Sequence, residues 1–181
     1  MNMADKYKLG YVGKLPDRDS NSWFTPSKYI EEARWVMDGI DFDPFSSHDA
    51  DLVVKAGQFY TEADDALVKP WPNVDTVWCN PPYGRGICSD AVKSVVENYG
   101  KTFRKGIVLT NNATDTKWWN ELASAASWIC FTDHRIAFTN TDGKNVSGNT
   151  RGQCFFLLSA GPKTQVRFSC AFSKFGKVLK V

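Results

Sequence analysis

A run of β-branched and aromatic residues, Thr76-Val77-Trp78-Cys79, passes directly into Asn80-Pro81-Pro82-Tyr83 and then Gly84-Arg85-Gly86. The first four suit a short buried strand. Two consecutive prolines end it, because each fixes φ at about −65° and lacks an N–H for a sheet ladder. The strand's carboxyl end therefore opens into a stiff, exposed turn, which is where ligands sit in open α/β sheets. Asn80 precedes a proline and is pushed out of the α region, so its amide is aimed away from the backbone. The carbonyls around the prolines have no local donor to occupy them, and Tyr83 adds an aromatic face beside that row of acceptors.

These parts suit one chemical problem. A ring-conjugated amino group, or an amide nitrogen, is a poor nucleophile because its lone pair is delocalised. Two acceptors on its two hydrogens, the Asn80 side-chain oxygen and the Pro81 carbonyl, favour the pyramidal nitrogen that develops as it attacks. Contacts realised mainly in the transition state are the ones that raise the rate. A planar substrate stacked on Tyr83 would be held in line, at roughly 1–3 kcal/mol for a nucleobase.

The remainder of the chain predicts an α/β fold. Thr25 is placed to cap a helix entered at Pro26, with Tyr29, Ile30, Ala33, Val36 and Met37 on one face and Gly39 ending the run. Short strands follow at 40–43 and 59–61, with a polar loop at 45–48 between them. A helix is expected over 87–99, a buried strand over 106–110, and a helix capped by Asp115 or Thr114 whose inner face holds Trp119, Leu122, Ala123 and Ala126. Strands read at 127–131 and 135–139, then a polar 13-residue loop over 140–152, long enough to suggest function. Segments 153–159 and 165–171 read as an antiparallel hairpin around Gly161-Pro162. Strands alternating with helices imply a mostly parallel sheet with a C-terminal antiparallel hairpin.

At 181 residues and 43% hydrophobic, the chain fits one domain with a sizeable core, over 23–181 behind a polar arm at 1–22. No apolar run is long enough to span a membrane, and the start does not resemble a signal peptide. Five cysteines without C-x-x-C spacing, and His48 and His134 without partners at ligand spacing, argue for reduced cytoplasmic thiols and against a metal site. The net charge of +2 permits nucleic acid without demanding it. Its distribution is uneven: Lys101, Arg104 and Lys105 cluster, and Lys163, Arg167, Lys174, Lys177 and Lys180 run to the end with no acid among them.

The tetrapeptide resembles the catalytic motif of methyltransferases that act on planar nitrogens, and Asn at its head suggests adenine N6. The order Trp23-x-Thr25-Pro26, Phe42-Asp43-Pro44, Tyr60-Thr61 with Asp65-x-Leu67, Trp71, Trp78-x-Asn80-Pro81-Pro82-Tyr83-Gly84, Thr114-Asp115-Thr116-x-Trp118-Trp119 and Arg135-Ile136-x-Phe138 resembles bacteriophage-type N6-adenine DNA methyltransferases of the Dam family. It spans roughly 23–159. The resemblance implies a Rossmann-like fold, S-adenosylmethionine as cofactor, and double-stranded DNA as partner, with an adenine flipped into a pocket formed by Asn80, Pro81, Pro82 and Tyr83.

It also implies that Trp23, Thr25 and Pro26 line the methionine end of the cofactor. Many relatives carry a glycine-rich turn after the first strand, whereas here that turn is Asp43-Pro44-Phe45-Ser46-Ser47. Asp43 would meet either the cofactor's ammonium or its ribose hydroxyls. Asp65 is expected to accept from the cofactor's adenine amino group, with Asp64 as competitor. With no separate target-recognition domain in view, DNA contacts fall to Arg85 in the turn and to Lys144 and Arg151 in the 140–152 loop. A protein glutamine or an RNA base as acceptor, and a silent nucleic-acid-binding module, remain as other readings.

Overall fold

The strands with the least polar sequences occupy the middle of one sheet. The computed structural model describes residues 24–83, 86–140, 144–145 and 149–181, so the arm at 1–22, Trp23 and Arg85 lie outside it. In chain order the described elements are α1 (Ser27–Met37), β1 (Phe42–Asp43), α2 (His48–Val54), β2 (Gln58–Phe59), β3 (Thr76–Cys79), α3 (Ile87–Asn98), β4 (Lys105–Asn111), α4 (Lys117–Ala125), β5 (Trp128–Thr132), β6 (Gln153–Ser159), α5 (Pro162–Phe172) and β7 (Gly176–Lys180). The seven strands are ordered β2-β1-β3-β4-β6-β5-β7. All four residues of β3 and all seven of β6 are buried.

Alternation along the strands divides the interior in two. Trp78, Ile107, Leu109, Phe155 and Leu157 face α1 and α5, where they meet Tyr29, Ile30, Ala33, Phe168 and Phe172. Val77, Cys79, Val108, Phe156 and Leu158 face the other way, onto Val92 and Val95 of α3 and Trp119 and Leu122 of α4. A side chain of Phe or Leu size contributes about 1.5–3 kcal/mol when fully buried, so this double layer fixes the sheet and leaves only its ends for polar work.

The sheet is less parallel than the sequence suggests. β1 pairs in parallel with β2 and β3, and β3 with β4. β6 lies antiparallel between β4 and β5, and β7 pairs antiparallel with β5. The expected strand at 165–171 is instead the body of α5. Pro162 occupies its first turn, and Phe168, Ala171 and Phe172 make a helical stripe against the core. The last strand is therefore β7, within what reads as a basic tail.

Four local expectations also change. Residues 135–139 form no strand beyond isolated bridges from Thr139 to Phe24 and to Asn145. The cap of α4 is Thr116, whose hydroxyl accepts from the Trp119 N–H, rather than Asp115 or Thr114. α1 begins at Ser27 with Pro26 at the cap position and no side-chain cap, so Thr25 stands one residue too early to cap it. The supposed loop at 45–48 runs into α2, capped by Ser47 accepting from the Ala50 N–H. His48 opens that helix with its ring edge-on to Phe59, centroids 5.4 Å apart.

The β5–β7 pairing depends on the absence of a side chain at Gly176. A Cβ there would sit 2.0 Å from the Phe131 carbonyl oxygen and 2.8 Å from the Asp133 nitrogen, both backbone atoms. Gly176→Ala should therefore cost about 2 kcal/mol, lowering the melting temperature by roughly 4–8 °C for a chain of this size. An unchanged melt would show that β7 does not pair as described.

Candidate active site

The carboxyl ends of β1, β3 and β4 lie side by side, with Phe42 opposite Val77 and Cys79 opposite Val108. The chain leaving them borders a cavity of about 720 Å³. Asp43, Phe45, Ser46 and Ser47 line it on the β1 side, Asn80, Pro81, Pro82 and Tyr83 in the middle with Thr25, and Asn111 with residues 149–151 beyond β4. Strands are spaced by about 4.8 Å, so the span from β1 to β4 is roughly 10 Å. That is room for two polar ligands end to end.

On the β1 side the polar atoms are desolvated. Asp43 is only 3% exposed, and its Oδ1 accepts from the Phe45 N–H at 3.2 Å. Burial pushes its carboxyl up from 3.8 to about 7, outweighing the downward pull of the Phe45 N–H and the Ser46 hydroxyl. Ser46 Oγ is itself buried with no well-formed hydrogen bond among the described residues. A buried carboxylate beside an unsatisfied hydroxyl is costly unless something polar completes the site.

In the middle, Asn80 Nδ2 donates to Thr25 Oγ1 at 3.4 Å. Residue 24 just before it is tied down by Phe24 N–H to Thr139 O and Thr139 N–H to Phe24 O, at 2.7 and 3.0 Å. The Tyr83 hydroxyl lies 3.3 Å from both Asn80 Oδ1 and Leu109 O. Tyr83 is 45% exposed overall, yet its hydroxyl end is tucked in, and burial there raises its pKa well above the ordinary value. The result is a neutral phenol with an open ring beside the Asn80 amide.

The cavity thus brings together Thr25, Asp43, Asn80, Pro81, Pro82, Tyr83 and Arg151. Pro26, Pro44, Asp65 and Lys144 do not line it. Asp65 adopts a positive φ of 54° and spends its carboxylate on the Leu67 N–H at 3.2 Å. Asp64 gives one oxygen to Lys69 and the other to Thr61, and those bonds hold its carboxyl down at about 2. Sequence reasoning did not reach Ser46, Asn111 or Asn149 as cavity residues.

A family model for DNA N-6-adenine-methyltransferase (Dam) matches residues 13–174. The chain belongs to the Dam family. The DNA N-6-adenine-methyltransferase of Escherichia phage T1 is 25% identical over 159 residues, covering 79% of this chain and 64% of that protein. The chain thus spans a little under two thirds of that relative's length.

For this Dam-family chain, the basic clusters distribute differently in space than in sequence. The acid-free C-terminal run meets acids from α1 and its cap: Arg167 and Lys163 on Asp38, Lys174 on Glu32. Lys105 pairs with Asp75 at 2.7 Å and begins β4, so the 101–105 cluster lies at the end of the strand away from the cavity. Among the described residues, Arg151 is the Lys or Arg that lines the cavity. The described part of the 140–152 loop is pinned, with the Lys144 N–H on Asn140 Oδ1 at 2.9 Å and the Arg151 N–H on Asn149 Oδ1 at 3.1 Å. Among the described residues there is no group of three or more His, Cys, Asp or Glu able to hold a metal, and no helix is long and apolar enough to cross a membrane. All five cysteines are free thiols.

The raised pKa of Asp43 has a signed consequence. Between about 4 and about 7 the folded protein holds a proton that the unfolded chain has lost, so ligand-free stability falls as pH rises through that window. The loss is on the order of 1.4 kcal/mol per pH unit. Asp43→Asn keeps the acceptor for Phe45 and removes the charge. At pH 8 it should melt several degrees above the wild type, with the gap closing toward pH 4. Equal melting temperatures at pH 8 would show the carboxylate is not desolvated.

Proposed function

We propose that this chain transfers a methyl group from S-adenosylmethionine to the N6 amino group of an adenine in duplex DNA, the base being turned out of the helix into the cavity. The observation that carries the proposal is one cavity, in a chain of the Dam family, into which a buried carboxylate and an Asn-Pro-Pro-Tyr turn both open. The fold reading that goes with it is a Rossmann-like domain over 23–181, supported by parallel β1, β3 and β4 with polar residues gathered at their carboxyl ends.

The residues on the β1 side fit such a donor. Asp43 and the buried Ser46 Oγ suit a partner that donates hydrogen bonds; an amino acid ammonium would add positive charge as well, and ribose hydroxyls would supply donors alone. Thr25 adds a hydroxyl in the middle of the cavity, next to Asn80. When bound, S-adenosylmethionine supplies a methyl group already activated by its sulfonium, so no base is required before transfer.

The protein's own work is on the acceptor. Asn80 Oδ1 and the Pro81 carbonyl take the two amino hydrogens, drawing the nitrogen lone pair out of conjugation as attack begins. The open ring of Tyr83 stacks on the base, while its hydroxyl, bonded near Asn80, fixes the plane in which the base can lie. The extra proton on the methylated nitrogen is acidic and leaves to water. Turning the base out costs a few kcal/mol, which phosphate contacts offset. Arg151, which lines the cavity, and with it Lys144 and Arg85, are the residues assigned to those contacts.

The test is digestion of plasmid DNA from expressing cells, followed by nucleoside mass spectrometry. N6-methyladenine should accumulate with the wild type. Asn80→Ala should cut turnover by about 10²-fold or more while S-adenosylhomocysteine binding changes by no more than a few fold. Wild-type-like methylation by Asn80→Ala would remove Asn80 from the chemistry.

A further inference from the structure

Beyond the Asn-Pro-Pro-Tyr turn, one side chain on the acceptor side of the cavity has its polarity fixed by the backbone. Gln153 is 1% exposed and starts β6. Its Oε1 accepts from the Ile136 backbone N–H at 2.9 Å. An N–H can only donate, so this contact settles which end of the Gln153 amide is oxygen. Its Nε2 must then donate, and it faces the Arg151 carbonyl at 2.7 Å, Asn149 Oδ1 at 3.2 Å and Asn111 Oδ1 at 3.3 Å.

Asn149 is fixed independently and agrees. Its Nδ2 donates to the Ile136 carbonyl at 2.9 Å, and its Oδ1 accepts from the Arg151 N–H. The N–H and the carbonyl of Ile136 thus set the sense of a buried amide network. The network ends at Asn111, whose oxygen is turned to Gln153. What Asn111 has left to offer a ligand in the cavity it lines is its Nδ2 amino end, a donor.

That donor stands on the strand next to the Asn80 turn. Continuing the β3–β4 register from Cys79 opposite Val108 brings Asn111 abreast of Pro82, and Tyr83 reaches back to Leu109 two residues earlier. Asn80 therefore presents an acceptor for an amino group, and Asn111 presents a donor beside it. Adenine carries the matching pattern on both edges: an amino group flanked by the ring acceptors N7 and N1. Cytosine has such an acceptor on one side of its amino group only. A glutamine side chain has one carbonyl and no aromatic ring to share Tyr83.

We infer that Asn111 reads the acceptor base, donating from Nδ2 to a ring nitrogen adjacent to the amino group, with Gln153 as the positioning residue that keeps its amide in that sense. The inference rests on the proposed adenine methylation. Arg151 is held through its carbonyl by the same Gln153, so base reading and backbone contact share one anchor.

The test is a two-way comparison of kcat/KM. Duplexes carry adenine, 7-deazaadenine or 1-deazaadenine at the target, and the enzymes are wild type, Asn111→Ala and Asn111→Asp. In the wild type, one analogue should lose about tenfold, the worth of one hydrogen bond. In Asn111→Ala that same substitution should cost nothing further, and intrinsic reactivity differences cancel because both enzymes see them. Asn111→Asp keeps the acceptor for Gln153 but opposes a second oxygen to the ring nitrogen, so it should prefer the deaza base. S-adenosylhomocysteine binding should stay near wild type in both variants. An analogue penalty equally large in wild type and Asn111→Ala overturns the inference while leaving adenine methylation standing. Loss of S-adenosylhomocysteine binding in both variants assigns Asn111 to the fold and also overturns it. A wild type inactive on every adenine duplex brings down the proposed function, and this inference with it.

Discussion

Helices cover both faces of β3, β4 and β6, and this double coverage governs what the rest of the molecule can do. A polar group placed mid-strand would be buried without a partner, at about 1–3 kcal/mol. The strands accordingly stay apolar until their ends: β3 runs Thr-Val-Trp-Cys and then meets Asn80, β4 becomes polar at Thr110 and Asn111, and β6 begins with Gln153. Because β6 is antiparallel to β4, its first residue lies opposite Asn111. The polar ends of strands running in opposite directions are thereby collected at one edge of the sheet. The cavity is the consequence of that arrangement.

Two kinds of polar chemistry share this edge and differ in how they are completed. On the β1 side, Asp43 is desolvated with a single well-formed hydrogen bond, from the Phe45 N–H, and Ser46 Oγ is buried without one, a polar deficit of the sort a ligand relieves. At the end of β4 and past it, the amides of Gln153, Asn149 and Asn111 hold one another's orientation and bind the N–H and carbonyl of Ile136. The first side is built to respond to what binds, and the second is built to stay put. Asn80 lies between them, with its nitrogen on Thr25 and its oxygen beside the Tyr83 hydroxyl.

Much of this was legible where local signals agreed. β3 with its proline turn, α1 after Pro26, α3, β4 and β6 each combine one clear periodicity with a stop signal, and they lie within a residue or two of the expected bounds. Residues 165–171 misled because Val166 and Phe168 alternate like a strand, whereas the stripe that matters is Phe168, Ala171 and Phe172 at helical spacing behind Pro162. α2 was missed because His48-Asp49-Ala50-Asp51 has no apolar face and its only buried residue is Val54. The 135–139 stretch has a strand's composition, yet side chains of Gln153 and Asn149 take the Ile136 hydrogen bonds that a neighbouring strand would have taken. In the site, Asn80 and Tyr83 could be read because they form a contiguous motif. Asn111, Asn149 and Gln153 could not, since the partners that give them meaning are up to 42 residues apart in sequence.

The central claim is that the amino acceptor in this cavity is an adenine of DNA. The most direct measurement incubates the purified chain with tritiated S-adenosylmethionine and, side by side, adenine-containing duplex DNA and a Gly-Gly-Gln peptide, then identifies the labelled product by chromatography. Label recovered from the DNA as N6-methyladenine, with none in the peptide, is the expected result. Label in the peptide with none in the DNA, or in neither, would contradict the claim.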